Sequence, residues 1–364
     1  MKIQPRKEHR DVQVDWRKAL EKGPVAVSAP CRVDMGGTVD IRTFSYPLQH
    51  LGPCTVNIAL DLRTTVRIAP YTRRRVAVSS RGFPSADFPA DGAPFRHPLG
   101  LMFATAAFFH AQGIHIFIES DSPPRSALGG SSAAAVALVR ALMEIRQREG
   151  LAALVGGRSI ALMAHAIEES VAGVPCGYQD QLAAVFGGVN AWHWLALPPE
   201  QVFRREVLIP RRGLRGLEPH LLVAYVGVPH ESRDINGQWV QQFVFGKYRA
   251  EWAEIVACTR RFADLLRRRD YSAAAAVMNR ELDLRQRMTP NVLDHLGRKL
   301  TAAARRQGCS ARFTGAGGGG CLWAIGEAGA VARLKPLWQQ VLAERREAHL
   351  LDAGVAGEGL RISS

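Results

Sequence analysis

Apolar positions in the first third of the chain recur with a period of two. In residues 54–80, "CTVNIALDLRTTVRIAPYTRRRVAVSS", β-branched and polar residues alternate in two blocks, which predicts two strands. Ahead of them, "GPVAVSAPCRVDMGG" carries a short apolar segment into a loop containing Pro and Gly. Residues 80–98 hold four prolines and two glycines and predict a long surface loop. Ile114, Ile116 and Ile118 then alternate with His115, Phe117 and Glu119, a strand that ends at Asp121.

Beyond that strand the period becomes helical. The run from Ser132 to about Arg148 has no Gly or Pro and is rich in Ala and Leu, so a helix is expected, with Ser131 or Ser132 as its cap. A second helix, from Ser159 to about Val171, places Ile160, Met163, Ile167 and Val171 on one face, with Glu168 beside the stripe. "GVPCGYQDQLAAVFGGVNAWHW" follows as loop, short helix and strand. Over residues 196–220 the composition turns to Pro, Arg and Gly, which divides the chain into an N-terminal domain, 1–205, and a C-terminal domain, 206–364. The second half predicts a strand at 221–228, arginine-rich helices between about 246 and 305, and a glycine turn between two strand-like segments in "CSARFTGAGGGGCLWAIG". A helix from Val331 to about Arg346 precedes a short polar tail.

At 364 residues, with 47% hydrophobic and 22% charged residues, the chain has the make-up of a globular protein of about two domains. The apolar run 100–109 is too short to span a bilayer, so no membrane partner is expected. The start, "MKIQPRKEHRDVQ", has no apolar segment of a secretory signal, and a cytoplasmic location is expected. The six cysteines are scattered without a C-x-x-C pair, which favours reduced thiols over zinc or disulfides. A net charge of +14 raises nucleic acid as a partner. Arginine, however, outnumbers lysine 40 to 7 and is spread along the chain without a basic tail, so a general arginine bias with some anion attraction is the stronger reading.

Candidate chemistry sits in small-residue loops. Ser126, Ala127, Leu128, Gly129, Gly130, Ser131 and Ser132 form a glycine- and hydroxyl-rich loop at a helix start, where backbone N–H groups and the helix dipole favour a triphosphate. A serine there could also ligate the Mg²⁺ that bridges phosphates. No lysine occurs between Lys22 and Lys247, so the P-loop pattern is absent, and a plain turn packed under a helix explains the loop equally well. Glu168 is the candidate carboxylate for Mg²⁺, against the commoner role of a solvated helix glutamate. Asp180 in "CGYQDQ" is placed as a general base or sugar-hydroxyl acceptor, or as a turn residue. Arg32 in "APCRVDMGGTVD" would favour a nearby carboxylate's ionised form if buried, or make a surface ion pair if not.

Taken together, "APCRVDMGGTVD", "PPRSALGGSSAA" and "ARFTGAGGGGCLWAI" resemble the three motifs of the superfamily named for galactokinase, homoserine, mevalonate and phosphomevalonate kinases (GHMP). Within it, "GVPCGYQDQLAAVFGGVN" is similar to a segment shared by galactokinases and the D-glycero-D-manno-heptose-7-phosphate kinases. "NRELDLRQRMTPNVLDHL" and "CTVNIALDLRTTVRI" resemble the heptose-phosphate kinases in particular.

The resemblance implies an α+β, two-domain GHMP kinase fold with the active site in the interdomain cleft, and ATP and Mg²⁺ as cofactors. The implied reaction is phosphorylation of the anomeric hydroxyl of a sugar or sugar phosphate, first of all D-glycero-D-manno-heptose 7-phosphate. A galactose, fucose or uronic acid kinase, or a silent sugar sensor, are the alternatives. Asp180 then matches the base and Arg32 its partner; Ser132 and Glu168 match the Mg²⁺ ligands. Ser126 to Ser132 with Gly315, Gly317 and Gly318 match nucleotide-side positions, and Gly36, Gly37, Thr38, Asp40, Gln179 and Thr314 the acceptor side. The partners implied are a small-molecule sugar and ATP, without nucleic acid or membrane, and a homodimer is left open. Three positions depart from the pattern. The first motif is about one residue short between Arg32 and Asp40, "LVAYVGVPHESRDING" follows the heptose-kinase segment only loosely, and Ala127 replaces a glycine, so that this position need not adopt a positive φ.

Overall fold

A 17-residue strand is the spine of the first half of the molecule. In this computed structural model, which describes residues 14–151, 153, 155–196, 201–229 and 235–363, β2 (Cys54–Pro70) follows helix α1 (Trp16–Glu21), β1 (Val25–Met35) and the short α2 (Arg42–Ser45). The charged start, residues 197–200 of the expected junction and "HESRD" at 230–234 lie outside the described residues.

β1 runs antiparallel along one edge of β2. The other edge is shared: residues 54–58 pair with β6 (Val189–Trp194) and residues 64–70 with β5 (Ile114–Ser120). β3 (Arg75–Ser80) is parallel to β5, and β4 (Phe83–Pro89) closes that side against β3. Two expectations change here. Residues 23–37 do not pass from a short segment into a loop, because β1 continues through Pro30 by shifting register between Pro30 and Cys31. The expected surface loop at 80–98 contains β4, whose Pro84 and Pro89 are tolerated since the strand is an edge and pairs only with β3.

Against β1 and β2 lies α4 (Gly130–Arg148), with α3 (Gly100–Phe108), α5 (Gly157–Ala172) and α6 (Gln179–Phe186) packed around it. Ala133, Ala134, Ala135, Ala137 and Ala141 are buried, and their small side chains let α4 approach the sheet closely. On α5, Ile160 and Ile167 are buried as the stripe predicts, with Met163 and Val171 half-buried against the same core. Neither Ser131 nor Ser132 caps α4; its cap is Gly129, in a left-handed conformation with φ 77°.

The expected division at residue 205 falls inside β7 (Phe203–Ile209), which pairs with β6 as part of the first sheet. The second sheet is antiparallel, in the order β11 (His349–Leu351), β8 (Leu221–Tyr225), β10 (Cys321–Ile325) and β9 (Ser310–Phe313). Against it pack α9 (Tyr271–Met288), α10 (His295–Arg306) and α11 (Ala328–Leu342), the last starting and ending a few residues earlier than expected, while α8 (Arg249–Arg268) packs between α9 and the first sheet and α7 (Ile235–Val244) on α2. The expected polar tail is structured as well: after β11 the chain returns to the first sheet, where β12 (Arg361–Ser363) pairs with β1. Among the described residues no helix is long and apolar enough to cross a membrane.

The returning segment is seated on the turn between α6 and β6. Gly188 N–H donates to Ala356 O at 2.7 Å, and a side chain on Gly187, where φ is 60°, would meet the backbone of Glu358 and Gly359. Gly187→Ala is therefore expected to cost about 1–3 kcal/mol of stability, read as a lowered denaturation midpoint. An unchanged midpoint would show that the returning strand yields easily.

Candidate active site

Arg32 projects from β1 beneath the start of α6 and is only 3% exposed. Its Nε and Nη2 both lie 2.7 Å from Asp180 Oδ1, and Nη1 donates to Ala127 O at 2.7 Å. Asp34 Oδ1 is 3.5 Å from Nη1. Burial opposes the guanidinium's charge, and the Asp180 and Asp34 carboxylates more than offset it, leaving the Arg32 pKa raised. The surface ion pair open to Arg32 in the sequence is thus excluded. Both bonds from Arg32 go to one oxygen of Asp180, and the other faces Gly129, whose Cβ, if present, would lie 3.4 Å from Oδ2.

The phosphate-loop candidates form the adjacent wall. Arg32 N–H donates to Leu128 O at 2.9 Å, so the loop hangs on β1. Ala127 has φ 59°, so the position keeps the left-handed backbone that its loss of glycine had left unrequired. Its carbonyl is held by the Arg32 guanidinium, which ties down the strained backbone. Ser126, Ala127, Gly129, Gly130, Ser131 and Ser132 line a cavity of about 930 Å³, while Leu128 turns into the core.

Glu168 crosses from α5 to the same helix start. Its carboxylate accepts from Ser132 Oγ at 2.8 and 3.1 Å and from Gln181 Nε2 at 2.7 Å. Burial pushes its pKa up to about 7; the Ser132 bond lowers it and the Asp180 charge raises it further. A hydroxyl and a carboxylate in contact, with phosphates and water to complete the shell, suit Mg²⁺, which seldom takes an all-protein cage. Among the described residues no group of three or more His, Cys, Asp and Glu side chains is arranged to hold a metal.

On the other side of Asp180, Asp40 is 2% exposed and accepts from Gln179 N–H at 2.9 Å through Oδ2, while its Oδ1 has no partner. Burial pushes its pKa up to about 7. Gly177 has no side chain to displace this carboxylate, because a Cβ there would occupy the same space. Asn236 of α7 also lines the cavity, and its Oδ1 is a second buried acceptor without a partner. Thr38, Asp40, Gln179 and Gly315 line the cavity as well. Gly36, Gly37, Thr314, Gly317 and Gly318 do not. Gly36 packs on Thr259 and Gly37 on Asp34 and Gln179, while Gly317 and Gly318 pack on Val292 and Ile235; Thr314 Oγ1 donates to Cys321 O at 3.2 Å.

Beneath the cavity a line of buried charges joins the two sheets. Asp34 accepts from Arg312 Nη1 at 2.9 Å and from Gly315 N–H at 2.7 Å. Burial would push its carboxyl up, but Arg312 and Arg32 hold it below the usual range. Arg312 Nε donates to Glu281 Oε2 at 3.2 Å, and Arg285 Nε to Glu281 Oε1 at 2.8 Å. Signs alternate from Asp180 through Arg32, Asp34, Arg312 and Glu281 to Arg285.

Sequence reasoning passed over Asp34, Glu281, Arg285 and Arg312, whose charged letters look like solvated positions, and Asn236, which no motif marks. It also missed the cavity's far end, where Phe83, Leu99, Leu101, Met102 and Ile118 offer apolar surface, with Arg81, Arg96 and Arg125 at the same end. Alternation around Ile118 was the available signal.

Residues 99–188 match the family model for the GHMP kinases N terminal domain. The chain is 29% identical over 196 residues to a galactokinase of Roseiflexus sp. (strain RS-1), covering 51% of this chain and 46% of that protein. It is 26% identical over 205 residues to a D-glycero-alpha-D-manno-heptose 7-phosphate kinase of Campylobacter jejuni, covering 56% of this chain and 58% of the relative. It thus spans about half the length of the curated relatives it matches. The solved Lactococcus lactis galactokinase, complexed with galactose, superimposes with a TM-score of 0.73 at 15% identity, over 95% of this chain and 98% of that one, which establishes the fold.

A carboxylate protonated more readily in the folded than in the unfolded chain makes stability fall as pH rises between the two pKa values. For Glu168 that window runs from about 4.5 to about 7. In the absence of nucleotide and divalent cations, Glu168→Gln is expected to be more stable than the wild type at pH 8, with the difference shrinking toward pH 4.5. Denaturant titrations at the two pH values measure this; a pH-independent difference would contradict it.

Proposed function

Because this chain carries a GHMP kinase N-terminal domain within the GHMP kinase fold, we propose that it is an ATP-dependent sugar kinase acting on an anomeric hydroxyl. The observation that carries the proposal is the meeting of Asp180 with the glycine loop: one carboxylate oxygen is fixed by Arg32 and the other faces Gly129. A base for the acceptor hydroxyl and a cradle for phosphates share one cavity.

In this reading the anomeric hydroxyl gives its proton to Asp180 Oδ2 as its oxygen bonds to the γ-phosphorus, and the bond from that phosphorus to the ADP oxygen breaks. Arg32 holds the carboxylate by Oδ1, which orients Oδ2 toward the hydroxyl that gives up its proton. The N–H groups at the start of α4 take the phosphate oxygens, and the apolar far end of the cavity receives the base of ATP. Asp40 Oδ1 and Asn236 Oδ1, both unpartnered, accept hydrogen bonds from sugar hydroxyls. Ser132 and Glu168 would hold Mg²⁺, whose charge offsets that of the phosphates. Phosphoryl transfer needs little else from the protein than such positioning and charge complementarity.

D-glycero-D-manno-heptose 7-phosphate is the acceptor that the motifs favour. One observation supports a second reading. Among the described residues, the cavity's cations are Arg32, already engaged, and Arg81, Arg96 and Arg125, of which Arg125 sits over Phe83 on the β3–β4 side, away from Asp40. An unphosphorylated sugar such as galactose or fucose needs no further cation. An ADP-release assay over heptose 7-phosphates, galactose, fucose and uronic acids separates the two, and turnover of unphosphorylated sugars alone would remove the heptose phosphate. Absence of ADP release on every sugar would favour a sugar sensor. Asp180→Asn is expected to lower kcat by about 10²–10³; a value within a few-fold of the wild type would contradict the base assignment.

A further inference from the structure

Thr38 is held in a left-handed backbone, φ 73°, where it lines the cavity two residues before Asp40. A β-branched residue is strained there, and such a backbone persists only where its surroundings over-determine it. Here the surroundings come from the other half of the chain. Arg285 of α9 donates from Nη1 to Thr38 Oγ1 at 3.0 Å and from Nη2 to Gly37 O at 2.7 Å. Its own position is fixed on every side: it is fully buried, Nε is on Glu281 at 2.8 Å, and the guanidinium carbon lies 4.8 and 4.6 Å from the ring centroids of Trp239 and Trp252. Gly36 is meanwhile pressed onto Thr259 of α8, and its carbonyl accepts from Thr55 Oγ1 at 3.2 Å.

We propose that Arg285 is a positioning residue for the sugar: with Glu281 it holds Gly37 and Thr38, and through them Asp40, in register with Asp180. The proposal rests on the sugar-kinase reading. It divides the buried charges by kinetic role, the Asp34–Arg312 end supporting the base and the Glu281–Arg285 end seating the acceptor. A lysine does not reproduce the arginine, because its single nitrogen cannot take the places of Nε on Glu281, Nη1 on Thr38 Oγ1 and Nη2 on Gly37 O.

The test compares full-length Arg285→Lys with the wild type on whichever sugar the wild type turns over. Acceptor KM is expected to rise at least about tenfold, with kcat and the KM for ATP within about threefold. In hydrogen exchange the amides of residues 36–41 lose protection while those of 126–136 keep it. A purely structural role would lower kcat without this split. That outcome, or wild-type exchange at 36–41, overturns the proposal. If the wild type turns over no sugar, the sugar-kinase reading fails and the exchange pattern still decides the positioning role. Should Arg285→Lys not fold, Trp239→Phe, which shrinks the ring under the Arg285 guanidinium but removes no charge, is measured with the same readouts and the same criteria.

Discussion

A guanidinium as deeply buried as that of Arg32 is tolerated only with counter-charges around it, since an unpaired buried ion costs several kcal/mol. Asp180 supplies one, and Asp34 the other. Asp34 is itself buried and leans on Arg312, which leans on Glu281, which Arg285 completes. Three cations and three anions alternate, so no net charge is stranded beneath the cavity. Removing any inner member would leave two like charges facing each other at low dielectric.

This chain of ions also decides where the cavity is. Arg32 and Asp34 come from β1, Asp180 from α6, Glu281 and Arg285 from α9 and Arg312 from β9. β1, the start of α6, α9 and the second sheet are therefore bolted to one another beneath the cavity. The glycine turns complete the closure by letting backbones touch. A Cβ on Gly315 would sit 3.6 Å from both Ala127 O and an Arg32 nitrogen, and one on Gly320 would strike the Ser126 backbone. The glycine turn at 315–320 thus packs directly on the loop at 126–127.

The parts of this site that sequence makes visible are those where chemistry and backbone freedom coincide. Arg32, Asp180 and Ser132 stand in or beside short glycine segments and Glu168 beside the apolar stripe of its helix, and the structure gathers all of them around one cavity. The helix at 130–148 was legible from its Ala- and Leu-rich run without Gly or Pro, and that at 157–172 from its periodicity. What was hidden is hidden for physical reasons. Glu281 and Arg285 are four apart on a helix, the spacing of an ordinary surface pair, and only the second sheet and the two indoles bury them. β4 escaped because prolines argue against strands unless the strand is known to be an edge. β12 escaped because its partner is more than 300 residues away, and a three-residue strand carries no periodicity. The left-handed Ala127 shows a tertiary bond, from Arg32, overriding a residue's own preference.

The phosphorus-31 spectrum of the product, formed from MgATP and a turned-over sugar, most directly examines whether this cleft transfers a phosphoryl group to an anomeric oxygen. The proposed sugar 1-kinase activity predicts one new phosphate ester, equimolar with ADP and coupled to the proton on C1. An ester coupled to protons of any other carbon, or ADP released with inorganic phosphate and no ester, would contradict it.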